Sequence, residues 1–172
     1  QKRDRDLVIG TYGRGIYIAD IGPMKEFKPE VFQKDAYLFD VKEAIRWNRF
    51  VRGGGELYGE YAKVDNPPVG TNLYYYLKAA AKSVKLTIKD LEGTVIQEIN
   101  GNAKKGLQKN FWGLTRMAAP GQAAAGQRGG GGGRGGFGGA RVDAGTYKVT
   151  LNVDGKDIET KKLVVSPDPL FK

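Results

Sequence analysis

AGTYKVTLNVDGKDIETKKLVV, residues Ala144–Val165, is the stretch that decides how this chain folds. Successive side chains of a strand point to opposite faces, so Tyr147, Val149, Leu151 and Val153 share one side and Lys148, Thr150 and Asn152 the other. Asp154-Gly155 supplies the favoured two-residue hairpin loop. A second strand runs from Lys156 to Val165 and stops at Ser166-Pro167. One apolar and one wet face is the signature of an antiparallel sheet covered on one side.

The same alternation extends upstream. Leu73, Tyr75 and Leu77 fall on one face, and Val84, Leu86 and Ile88 oppose Lys85, Thr87 and Lys89. DLEG, Asp90–Gly93, is a turn. Val95, Gln97 and Ile99 then oppose Ile96 and Glu98, an arrangement that leaves the buried face of that strand open. Leu107–Leu114 carries Trp112, expected as a core anchor. Six short strands at regular spacing predict an antiparallel β-sandwich over residues 67–168.

The Gly-rich stretch AGQRGGGGGRGGFGGAR, Ala125–Arg141, lies between two of these strands, so residues 117–143 are expected as a loop inserted into the sandwich. Loop closure entropy rises by only about 0.6 kcal/mol per doubling of length, so such an insertion is tolerated. An RGG-type nucleic-acid module would rely on Arg128, Arg134, Arg141 and Phe137. Three phosphate contacts give a single-strand salt slope of only about -2, which argues against nucleic acid as a partner and makes a passive spacer the preferred reading.

At the other end, DLVIGTYGRGIYIAD, Asp6–Asp20, reads as two short strands, Leu7–Gly10 and Gly15–Ala19, joined by glycine-punctuated turn residues. Its hydrophobes run almost continuously, which predicts strands covered on both faces. Two strands alone are marginal in water, so residues 1–22 call for a sheet that the rest of the chain does not supply. GTYGRG, Gly10–Gly15, lacks the Lys-Ser/Thr and following helix of a phosphate loop. Residues 23–66 read as a packed connector: Pro29-Glu30 suits the first turn of a short helix, YLFDV is extended, and Trp47 is expected to contact a neighbouring element. Breaker residues between Arg52 and Gly70 put the main boundary near Asn66.

Composition narrows the chemistry. The 172 residues are 40% hydrophobic and 27% charged, as in ordinary globular chains, with an excess of Gly at 26. Having neither Cys nor His, the chain lacks thiolate and imidazole metal ligands, disulfides, and any His-activated nucleophile. The net charge of +9 suits polyanions, but the lysines are scattered and not interleaved with stacking aromatics. No apolar run approaches the roughly 20 residues of a membrane span. The start at Gln-Lys-Arg-Asp, without Met, suggests a piece of a longer polypeptide.

The Asp6–Asp20 stretch resembles the last-blade segment of bacterial BNR-repeat, sortilin-like β-propeller proteins, a family often labelled glycosyl hydrolases, in which the matching stretch looks like DLVVGTHGRGIYILD. KPEVFQKDAYLFDV, Lys28–Val41, is similar to the connector that follows there. The span from NPPVGTNLYYYLK, Asn66–Lys78, to GTYKVTLNVDGK, Gly145–Lys156, resembles that family's C-terminal immunoglobulin-like domain, akin to the one in flagellar hook-capping proteins. Tyr12 stands where the family carries His.

The resemblance implies an all-β fold: the closing strands of a propeller blade plus an immunoglobulin-like antiparallel sandwich. It implies a secreted, periplasmic or cell-surface bacterial protein whose N-terminal propeller portion is this chain's partner, with other envelope proteins or glycans as further partners. Leu7, Val8, Ile9, Ile16, Tyr17 and Ile18 would then close the propeller. The expected role is non-catalytic, structural or adhesive. One alternative is a share in a glycoside hydrolase whose active site lies upstream, because Asp20, Asp40, Glu56 and Glu60 show no spacing that fixes a catalytic pair. The other is the RGG module. Neither a catalytic residue nor a cofactor is assigned. Strand alternation sends Tyr75 inward and leaves Tyr74 and Tyr76 outside as a candidate sugar-stacking platform or partner contact.

Overall fold

A computed structural model describes residues 5–13, 15–48, 68–117 and 140–170. Its first element is a hairpin of β1 (Asp6–Gly10) and β2 (Ile16–Asp20), followed by two one-turn helices, α1 (Gly22–Glu26) and α2 (Pro29–Gln33). Eight further strands follow: β3 (Ala36–Leu38), β4 (Ala44–Arg46), β5 (Thr71–Leu77), β6 (Val84–Lys89), β7 (Val95–Asn100), β8 (Gly106–Trp112), β9 (Gly145–Val153) and β10 (Lys156–Pro167). The fold is all-β. A five-stranded sheet in the order β4-β10-β9-β6-β7 and a three-stranded sheet β3-β5-β8 share one hydrophobic core, and β1-β2 stands as a separate sheet.

The β9-β10 hairpin forms where alternation puts it. Asp154 and Gly155 turn it with φ of 52° and 85°, the positive pair that matches the right-handed twist of the flanking strands. The Asp154 carboxylate also accepts the backbone N–H groups of Lys82 and Ser83 at 2.8 and 2.7 Å, tying the turn to the entry of β6. Inward residues Leu73, Tyr75 and Leu77 of β5 meet Leu86 and Ile88 of β6 and Val149 and Leu151 of β9. Trp112 is buried, as expected, edge-on to Tyr147 at 5.9 Å, and its indole N–H donates to the Thr115 carbonyl.

Two bulges adjust the pattern. In β7 an extra residue between Val95 and Gln97 turns Ile96 into the core while Ile99 still faces it, which resolves the face that alternation left open. In β10 the register shifts between Asp157 and Glu159, leaving Ile158 as the extra residue.

Residues of the expected connector belong to the sandwich. β3 pairs antiparallel with β5, and β4 pairs in parallel with β10, Val165 facing Ala44. The sandwich is therefore not purely antiparallel, because a strand that enters beside the C-terminal strand after a crossover runs with it. Pro29 does start a helix, α2. The boundary near Asn66 falls outside the described residues, as does most of the 117–143 loop. The ends of that loop are described and meet: Thr115 bridges Arg141, the Val142 N–H donates to Leu114, and the Arg116 N–H donates to Ala140.

Candidate functional site: an apolar hairpin without a sheet

β1 and β2 pair in full register, from Asp6 opposite Asp20 to Gly10 opposite Ile16. Cross-strand partners share a face. Val8, Ile16 and Ile18 therefore lie on one side of the ribbon, and Leu7, Ile9, Tyr17 and Ala19 on the other. Both sides are apolar and both are open to water, with exposures from 45% at Leu7 to 75% at Ile16. No third strand joins this sheet among the described residues. The turn is closed internally: the Thr11 N–H donates to Gly15 at 2.8 Å, and the Thr11 hydroxyl both accepts from the Gly15 N–H and donates to its carbonyl.

The open end of the hairpin is fastened to the sandwich through polar contacts. Lys42 pairs with Asp6 at 3.2 Å, Arg5 with Glu26 at 3.7 Å, and the Ile21 N–H donates to the Arg5 carbonyl. Asp20 accepts the Gly22 N–H and so fixes the turn into α1. Tyr74, on the outer face of β5, lies in the same field: burial, then the Asp20 and Asp6 carboxylates, push its phenol above the ordinary range.

The other half of the expected tyrosine platform is occupied. Phe27 and Phe32 stack on each other at 5.0 Å, and each meets the Tyr76 ring edge-on, at 5.6 and 5.8 Å. Tyr74 and Tyr76 are both only half-buried, but Tyr76 serves as the seat of α1 and α2. Alternation places a tyrosine on the outer face of a strand; it does not show that a helix will cover it.

Of the carboxylates considered for hydrolysis, Asp40 pairs with Lys161 at 2.9 Å, Asp20 is held by Gly22, and Glu56 and Glu60 lie outside the described residues. Among the described residues no group of three or more acidic side chains is placed to hold a metal ion. Trp47 is 41% exposed, and its backbone carbonyl accepts from the Arg141 guanidinium at 3.1 Å at the base of the Gly-rich insertion.

No protein-family model and no curated protein matches the chain. Among solved structures it is similar to CopC from Methylosinus trichosporium OB3b, over 77% of this chain and 94% of that one, at 11% identity and a TM-score of 0.35. So distant a likeness carries no argument about fold or function.

Proposed function

We propose that this chain is a non-catalytic structural and interaction region of a secreted or envelope-associated β-propeller protein. In this reading Asp6–Asp20 completes a propeller blade, and the sandwich presents a surface to a partner or glycan. The observation that carries it is the hairpin: six large apolar side chains exposed on both faces of a fully paired ribbon that no third strand joins among the described residues. A ribbon facing water on one side needs one apolar face; a blade strand, sandwiched between neighbouring blades, needs two. Full burial of each such side chain stabilises by about 1.5–3 kcal/mol, and unpaired strand edges supply hydrogen bonds to an incoming strand. The resemblance of Asp6–Asp20 to a last-blade segment names the sheet that would receive it.

The test is amide hydrogen exchange on the chain alone and on the chain co-expressed with the polypeptide that precedes it in its parent. Leu7–Gly10 and Ile16–Ala19 should exchange rapidly alone and become protected in the complex. Protection in the isolated monomer equal to that of β9 would overturn the proposal.

A further inference from the structure

We infer that Arg46 and Arg116, which share the Asp143 carboxylate where β4 ends and the two ends of the Gly-rich insertion meet, bind the acidic groups of a polysaccharide. The inference deepens the sandwich-presenting part of the proposed function and does not use the hairpin. Arg46 Nη1 lies 3.4 Å from one Asp143 oxygen and Arg116 Nη2 lies 4.0 Å from the other. Two guanidinium groups thus share one carboxylate, while the guanidinium of Arg141, two residues before Asp143 in the chain, donates to the Trp47 carbonyl.

The spacing is long. A tight guanidinium–carboxylate pair sits at about 2.7–2.9 Å, so neither arginine is committed to Asp143 and both retain unused donors. Asp143 is 77% exposed and screened by water, which makes it a weak internal occupant that an external carboxylate or sulfate can displace. The frame beneath is hydrogen-bonded. Tyr147 Oη holds the Asp143 carbonyl, the Thr115–Arg141 bridge sets two of the arginine backbones side by side, and the Trp47 carbonyl holds the Arg141 side chain. None of these supports involves the Asp143 carboxylate, so displacing it leaves the backbone that carries Arg116, Arg141 and Asp143 in place.

The polymer class follows from the neighbouring apolar surface. Trp47 follows Arg46 in the chain, is 41% exposed and accepts from Arg141 through its backbone carbonyl, and a single indole suits the flat face of one pyranose ring. Single-stranded nucleic acids are held by aromatics in succession along a basic groove, which this site does not offer.

The experiment is calorimetric titration of the full chain with four probes: a sulfated glycosaminoglycan oligosaccharide, an oligogalacturonate, a neutral dextran oligomer and a single-stranded RNA oligonucleotide. The acidic sugars should bind, less tightly as salt is added, and dextran should not. The double substitution Arg46→Gln/Arg116→Gln should weaken binding at least about tenfold. Asp143→Asn should tighten it about two- to fivefold, because the internal competitor loses its charge while its carbonyl still serves Tyr147. That opposite sign keeps the test decisive if the double variant fails to fold. Unchanged affinity in Asp143→Asn, unchanged affinity in a folded double variant, or RNA bound more tightly than either acidic sugar would each overturn the inference. Ile16→Lys/Ile18→Lys should leave sugar binding untouched, so a failure here and a failure of hairpin docking are read separately.

Discussion

The Tyr147 hydroxyl donates a 2.8 Å hydrogen bond to the carbonyl of Asp143, four residues upstream. It ties the end of the insertion to the first turn of β9 and sets the Tyr147 ring against Trp112. A tyrosine near the start of a strand, bonded back to the backbone just before it, is the corner device of immunoglobulin-like sandwiches. Burial, acting first, holds the phenol above its ordinary range. Tyr147→Phe keeps the ring and orphans the carbonyl, so it should destabilise by about 1 kcal/mol, read as a lower urea midpoint with unchanged slope.

Gly101 should not tolerate a methyl group. A Cβ there would lie 2.6 Å from Tyr75 Oη and 2.8 Å from Val84 Cγ1. The Tyr75 ring is fully buried and its hydroxyl is bonded to the Asn102 carbonyl at 2.8 Å, so it cannot yield. Gly101→Ala should cost about 1–3 kcal/mol. Adding Tyr75→Phe removes the nearer clash, so thermal melts of the double variant should show less than the sum of the two single losses.

Lys161 should confer a stability that vanishes in strong base. Its partial burial disfavours the charged form, but the hydrogen bond to Asp40 and the charges of Glu159 and Asp40 outweigh that and raise its pKa. A raised lysine stabilises the fold below its unfolded pKa, about 10.4, and the benefit fades as pH climbs from there through the higher folded value. Lys161→Met should therefore lower the melting temperature at pH 8, by on the order of 1 kcal/mol in stability. The gap between variant and parent should narrow above pH 11. A constant gap across that range would contradict the assignment.

Ile16→Lys/Ile18→Lys should be silent in the chain alone and damaging in the assembly. Both side chains are mostly exposed, so isolated stability should move by no more than about 0.5 kcal/mol. Under the proposed blade completion, co-purification with a propeller polypeptide should fall sharply. A large loss of stability in the isolated chain would mean that the hairpin is already packed.

Residues 118–139 should be replaceable by Asn-Gly. Leu114, Thr115 and Arg116 already meet Val142, Arg141 and Ala140 in hydrogen-bonded register, so the resulting three-residue loop Met117-Asn-Gly, with Gly in the left-handed position, can close the gap. The shorter loop should raise stability by up to about 2 kcal/mol. A drop in melting temperature would show that the tract makes contacts of its own.

The strands with one wet face were legible in the sequence, because a period of two fixes which residues are buried wherever a sheet has a core on one side. This is why Leu73, Tyr75, Val149 and Leu151 fall where alternation puts them. YLFDV was legible as extended, but not the pairing of β3 with β5, and β4 was not legible at all, since three residues carry no period. The parallel pairing of β4 with β10 joins positions over a hundred residues apart and leaves no local mark. The hairpin could be read from its continuous hydrophobes. The cover that Phe27 and Phe32 lay over Tyr76 could not, because it depends on where two short helices come to rest. The meeting of Arg46 and Arg116 at Asp143 was equally hidden, because the three residues come from separate segments.

The same-direction pairing of Ala44–Arg46 with Val165–Pro167 has a mechanical consequence. A tensile load pulling β4 toward its N-terminal end and β10 toward its C-terminal end slides the two strands past each other. Their hydrogen bonds are then strained together instead of opening one after another like a zip, so the module should resist stretching along this axis better than peeling at its edge.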